Sequence, residues 1–451
     1  METFDPEFKS SRNLGKDLMT PSVLHSVNAP RIYEVTCDLL ELWRMKSRLA
    51  AGRPFDVVKD VSEFTFDAIV SAAMGLEQQG GDIRYQCQHL AHSATNDMVP
   101  SCVDKDARHS SPVAFPDTPC SAKLAALRLE KKTLRRSFLV PWPRVFHLLN
   151  DLRPSVRRSR RILRNYITSQ IDQATSGLSD GTRQPQCALD FALQREIHAA
   201  AADQRPPALA DPRIPELVYG YLIAGHDTTW GTLLWLIRRM VCHPHEQDCV
   251  RECLRRTYPE AGRDGRLPTV AELIRAQSPH LNAFIEETLR CDTPLASLMV
   301  MTRRDTTVLG HRVPRDTRVF LNLTGPSLNQ SSVHVAEADR QTTARMHKPA
   351  LACETWDAAA PDEFRPERWL KYGCDPSAPV FDPAAGPTLA FSAGIRGCWG
   401  KRLAYLELRI VLSLLIWSFE FGISEEHSSW ETVDSLVCGL KTCIIKIKEV
   451  V

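Results

Sequence analysis

FSAGIRGCWG, Phe391 to Gly400, stands just before RLAYLELRIVLSLLIWSFEF, a run apolar nearly all round that reads as one buried helix. Cysteine binds metal as its thiolate, and the unpaired backbone N–H groups of a helix N-terminus favour that charged form. Gly394, Gly397 and Gly400 flank Cys398 and permit tight turns that aim such donors at one sulfur. The pattern is that of a cradle. Arg396, two residues earlier, is placed to pair with a carboxylate of a bound cofactor. A cysteine without this setting reads more simply as a small buried hydrophobe, so the weight rests on the whole string.

Three more strings precede it. In the helical run from about Ile214 to Met240, AGHDTT sets Ala224, Gly225, His226, Asp227, Thr228 and Thr229 side by side. Two hydroxyls and an acid are poor helix formers, and Gly225 adds about 1 kcal/mol of cost relative to Ala. A hydroxyl beside glycine can divert the helix ladder and admit water, which makes a proton path; the plain alternative is a kinked core helix. EETLR places Glu287 and Arg290 on one helical face, and PDEFRPERW supplies Arg368. Exposed, such a pair contributes little; buried, two arginines around one glutamate are physically sensible.

Together these strings resemble the cytochrome P-450 family, whose heme-binding loop carries Phe, Gly, Arg, Cys and Gly at the spacing of Phe391, Gly394, Arg396, Cys398 and Gly400. The resemblance implies a mainly α fold with small β-sheets and heme b as cofactor, its iron held by Cys398. It also implies that Arg396 anchors a heme propionate, that Thr228 holds dioxygen and its water, and that Asp227 gates proton delivery. Glu287, Arg290 and Arg368 then form a buried structural brace, and His226 has no family role. The implied partners are dioxygen, a small apolar organic substrate and an NADPH-dependent flavoprotein reductase docking near Lys401 and Arg402. The expected reaction inserts one oxygen atom into the substrate. LAYLELR and DTTVLGHRVP look most like fungal members, many of which tailor secondary metabolites and sit on the endoplasmic reticulum membrane facing the cytosol.

Composition agrees. With 451 residues, 43% hydrophobic and 24% charged, the chain can bury a large core, and no linker divides residues 1–451, which read as one domain. A formal charge of +2, from 56 basic and 54 acidic residues, provides no global field for nucleic acid. The 14 scattered cysteines lack disulfide-framework spacing. VCHPHEQDCVREC collects Cys242, His243, His245, Cys249 and Cys253, but the spacing matches no zinc finger and suits a packed helix. No apolar run is long enough to span a bilayer; the best candidate, LVYGYLIAGHDTTWGTLLWLI, carries His226 and Asp227 at its centre. The stretches 104–120 and 176–186 read as loops, and VRRSRRILRNYITSQIDQA as a helix with a solvated basic face.

Two departures from the family stand out. FKSSR, Phe8 to Arg12, occupies the place of a helix in which Trp and Arg frame a propionate; Phe8 replaces the Trp, and Arg12 is the candidate ligand. The resemblance starts here, so the anchor and first helices have no counterpart and the fold is expected to be N-terminally incomplete. Five residues before Asp305, where many relatives carry a propionate-binding Arg, stands Val300, with Arg303 and Arg304 as substitutes. Two rivals follow: a truncated, non-catalytic relative with impaired heme binding, and a reductase-independent heme-thiolate isomerase or dehydratase.

Overall fold

The computed structural model describes residues 15–75, 80–95, 111–138, 140–209, 211–308, 310–325, 328, 330, 360–373, 378–394, 397–422, 429–433 and 437–450. Within them helices dominate and the sheets are small and antiparallel, the expected class.

Apolar spacing in IYEVTCDLLELW yields helix Ala29–Ala50, which buries Ile32, Val35, Leu39, Leu42 and Trp43. It ends where Ala51 and Gly52 turn left-handed, a break that a Gly-Pro neighbourhood favours. Helix Val58–Met74 follows and is buried on nearly every side, acids included. Asp60 is matched there by Lys46 at 2.6 Å and by the Trp43 indole N–H at 3.1 Å, because a buried charge without partners costs several kcal/mol. Against this helix lies the longest one, Arg213–Cys242. Their approach explains Gly225 in packing terms: a Cβ there would sit 2.4 Å from Ile69 Cδ1.

Helix Pro279–Cys291, capped by the Ser278 hydroxyl on Leu281 N–H, carries EETLR and packs on the final helix, Lys401–Ser418. That final helix buries Leu408, Ile410, Val411, Leu412, Leu414, Leu415 and Trp417, and each such side chain stabilises by about 1.5–3 kcal/mol. The expected helix through Phe421 stops at Ser418. In FEFG, Phe419 and Phe421 are buried and Glu420 is exposed, the two-residue period of a strand. Strand Phe419–Gly422 pairs with Ile444–Glu449, which also pairs with Phe55–Asp56. Strands Ser297–Met301 and Arg318–Asn322 form a separate pair, with Met299 opposite Phe320.

The loop expected at 176–186 begins late. Helix Pro154–Ser179 runs through its first four residues and stops only where Asp180 accepts from Thr182 N–H and Gly181 takes a positive φ. Of the loop expected at 104–120, the described part is non-helical and touches Phe55 through a bridge at Val113.

Candidate active site

The cysteine loop folds back on itself. Cys398 N–H donates to Phe391 O at 2.8 Å and Gly397 N–H to Gly394 O at 3.0 Å. Gly394 turns at φ +71°, and a Cβ on Gly397 would meet Gly394 O at 3.1 Å, so both glycines are needed for the closure. Gly400 caps helix Lys401–Ser418, and the Gly400 and Lys401 N–H groups turn toward the sulfur. Burial pushes the Cys398 thiol up, and these donors with the Lys401 charge only partly offset it. The helix end therefore does not ionise the sulfur alone; a coordinated cation is what completes deprotonation of such a thiol.

Cys398 is free and opens onto an apolar cavity of about 790 Å³. The helix stretch Ala224, Gly225 and Thr228 lines the same cavity; Leu217, Leu289 and Leu298 add apolar surface. Phe391 lines the cavity and packs on Tyr405 at 5.0 Å between ring centroids. Tyr221 meets Trp399 edge to face at 5.6 Å. The Thr228 hydroxyl donates to Ala224 O at 2.7 Å, which leaves its lone pairs open to the cavity.

Asp227 lies elsewhere. It points away from the lining, toward helix Ala122–Phe138, where Lys131 Nζ donates to its Oδ1 at 2.5 Å. Lys131 Nζ also bonds His226 Nδ1, which lies 2.8 Å from Asp227 Oδ1, while His226 Nε2 lies 2.9 Å from Ser62 O. Burial pushes the His226 imidazole down from its ordinary value, against the raising contacts with Asp227 and Ser62 O. Burial pushes the Asp227 carboxyl up, but the His226 and Lys131 contacts outweigh it and hold it at about 2. Asp227 is thus a locked carboxylate. Replacing Lys131 by Met is expected to remove about 3–5 kcal/mol of stability by stranding that charge, and adding Asp227→Asn to recover much of the loss. Urea unfolding of the single and double variants checks this; equal losses in both would exclude the pair as a stabilising unit.

Glu287 and Arg290 are paired through two 2.8 Å bonds, with both side chains 0% exposed. Trp369 Nε1 and Arg365 N–H donate to the same carboxylate at 2.9 and 2.8 Å, and Arg368 Nε stands 3.9 Å away. Arg290 also reaches the carbonyls of Leu328, Pro361 and Glu363 and so ties three chain segments together. Arg12, Phe8 and Arg396 lie outside the described residues. Val300 sits within strand Ser297–Met301, and Arg303 and Arg304 are exposed beyond it. Cys242, Cys249 and Cys253 fall on packed helices, and no group of metal-holding side chains occurs among the described residues. No described helix is long and apolar enough to cross a membrane.

Lys131 and Glu407 are the residues that sequence reading passed over. Lys131 carries no local signal. Glu407 has one: it is the sole acid of KRLAYLELRIVLSLLIWS and also lines the cavity.

The family model "Cytochrome P450" matches residues 6–332 and 352–447. The chain is 33% identical over 431 residues to cytochrome P450 monooxygenase xilC of Penicillium rubens, covering 93% of this chain and 71% of that protein. It is 28% identical over 446 residues to cytochrome P450 monooxygenase TRI13 of Fusarium sporotrichioides, covering 95% and 75%. Among solved structures, a mutant heme domain of cytochrome P450DA superposes with a TM-score of 0.66 at 17% identity, over 99% of this chain and 79% of that one, a likeness of fold. The chain belongs to the cytochrome P-450 family and is an oxidoreductase, and that family implies a heme-iron cofactor, dioxygen and a redox partner.

Proposed function

We propose that residues 1–451 form one heme-thiolate monooxygenase domain that inserts one oxygen atom from dioxygen into a small apolar organic molecule in secondary-metabolite biosynthesis. The observation that carries this is the free Cys398 sulfur, held on a glycine cradle, facing an apolar cavity that Thr228 also lines. The donor set fits heme b: Cys398 offers a single soft ligand, and the cavity it opens onto is mainly apolar with a few threonine hydroxyls, Thr228 among them. Bound there, heme supplies the reductive activation of dioxygen.

The chain's own residues supply the rest. Cys398 Sγ would hold the iron, with Gly400 and Lys401 N–H groups stabilising the thiolate. Phe391, Gly394 and Gly400 shape the loop, and Arg396 and Arg12 are assigned to the propionates. Thr228 offers its oxygen to the reacting face, and Leu217, Leu289 and Leu298 exclude water and receive an apolar substrate. Asp227 gates proton delivery only once Lys131 releases it. The fungal monooxygenase relatives support the secondary-metabolite reading, and an NADPH-dependent flavoprotein reductase is the redox partner that the family resemblance implies.

The test is turnover under ¹⁸O₂ with reductase and NADPH across a panel of apolar terpenoid and polyketide compounds. The proposal expects product carrying one ¹⁸O atom and dependent on NADPH. Product formed equally without NADPH or label would favour an isomerase or dehydratase instead.

A further inference from the structure

Beside the Glu287 brace stands a second buried acid with a different partner. Glu286 is 4% exposed, and its Oε1 accepts the Tyr405 phenol O–H from helix Lys401–Ser418. Its Oε2 has no hydrogen-bond partner among the described residues. Burial pushes the Glu286 carboxyl up, and the Tyr405 bond together with the Lys401 and Arg409 charges opposes that push. Arg409 itself donates to Asn282 at 2.7 Å. A buried acid so thinly matched costs stability, and Tyr405 is the group that it fastens.

Lys401, Tyr405 and Arg409 follow one another at four-residue steps and so share one face of their helix. The two cations hold the ring. Lys401 Nζ lies 5.7 Å and the Arg409 guanidinium 5.6 Å from the Tyr405 ring centre, while the phenol end is tied to Glu286. Phe391 packs on this fixed ring at 5.0 Å between centroids, and Lys401 Nζ reaches the Phe391 ring too, at 5.6 Å. The Phe391 carbonyl takes the Cys398 N–H at 2.8 Å. Ring and sulfur are therefore tied to one backbone unit. Phe391 and Cys398 both line the cavity, and Tyr405 does not.

We propose that Tyr405, fastened by Glu286, is a positioning residue of the cysteine loop: it fixes the Phe391 ring, and through the Phe391 carbonyl it fixes the Cys398 sulfur. Its effect on an iron held there rests on the monooxygenase reading above; its effect on the loop does not. A loosened Phe391 ring lets water approach the sulfur, and hydrogen bonds from water weaken a thiolate as a donor. Water also stabilises the added negative charge of the reduced centre. Loss of Tyr405 therefore makes reduction easier.

Tyr405→Leu removes both ring and bond, Tyr405→Phe removes the bond alone, and Glu286→Gln keeps an acceptor for the phenol. In the purified full-length chain, hydrogen–deuterium exchange at the Cys398 amide is expected to quicken about 10-fold in Tyr405→Leu and about 3-fold in Tyr405→Phe, and to stay unchanged in Glu286→Gln. Amides of helix Lys401–Ser418 are expected to keep their protection. With heme bound, the reduced-to-oxidised ratio at a fixed potential is expected to rise about 3–10-fold in Tyr405→Leu and to keep its original value in Glu286→Gln. A purely structural Tyr405 would leave that ratio alone. The proposal is overturned if Cys398 exchange is unchanged in Tyr405→Leu, or if the ratio is unchanged in a variant that retains the thiolate-type spectrum. Should Tyr405→Leu lose its helix protection, Tyr405→Phe, which keeps the ring volume, decides on the same two readings. If the unaltered protein lacks the thiolate-type spectrum, the monooxygenase reading fails, and the exchange result alone supports or overturns the positioning role of Tyr405.

Discussion

Arg290→Met is expected to yield little soluble protein and to lower the urea midpoint of whatever remains by the equivalent of about 3–5 kcal/mol. The substitution keeps most of the side-chain volume, so the loss comes from charge. It takes the paired guanidinium from the Glu287 carboxylate in a site with no solvent exposure, leaving the Trp369 and Arg365 N–H donors and the more distant Arg368 at 3.9 Å. It also frees the carbonyls of Leu328, Pro361 and Glu363, which one guanidinium now satisfies. Arg290→Lys is expected to recover little, since a point ammonium cannot reach both carboxylate oxygens and three carbonyls. Because a domain keeps only about 5–15 kcal/mol of net stability, this is a large fraction of the whole. An unchanged midpoint in Arg290→Met would mean that the buried pair is not a brace.

Cys398→Ser carries the largest functional effect. Serine matches the cysteine in shape, and the N–H of residue 398 still reaches Phe391 O, so the far-ultraviolet dichroism and the urea midpoint are expected to stay unchanged. Only the soft donor is lost, and a hydroxyl is a poor ligand for the same iron at neutral pH. Heme content and NADPH-supported dioxygen consumption are expected to fall to background. A variant with full turnover would show that another residue holds the iron.

What was legible in the sequence was local. The cysteine loop, the AGHDTT helix and EETLR are short strings whose residues act on their own neighbours, so spacing alone reveals them. The locking of Asp227 was not legible, because Lys131 stands 96 residues away and meets it only when two helices pack. Gly225 was read as a tolerated cost of function, and the fold adds a packing cause, the close approach of Ile69. The final helix was read too long because Phe419 and Phe421 extend an apolar run. Their alternation around Glu420 was the strand signal, outweighed by the 18 preceding helical residues in a window average. Glu407 was visible as a lone acid in an apolar helix, but only its place on the cavity separates it from a surface residue.

The central claim, that Cys398 is a thiolate ligand to heme iron, is tested most directly by loading the protein with heme, reducing it and adding carbon monoxide. The account predicts the long-wavelength Soret band of a thiolate ligand, absent from Cys398→Ser. A band typical of nitrogen or oxygen ligation, or the same spectrum in both proteins, would contradict it.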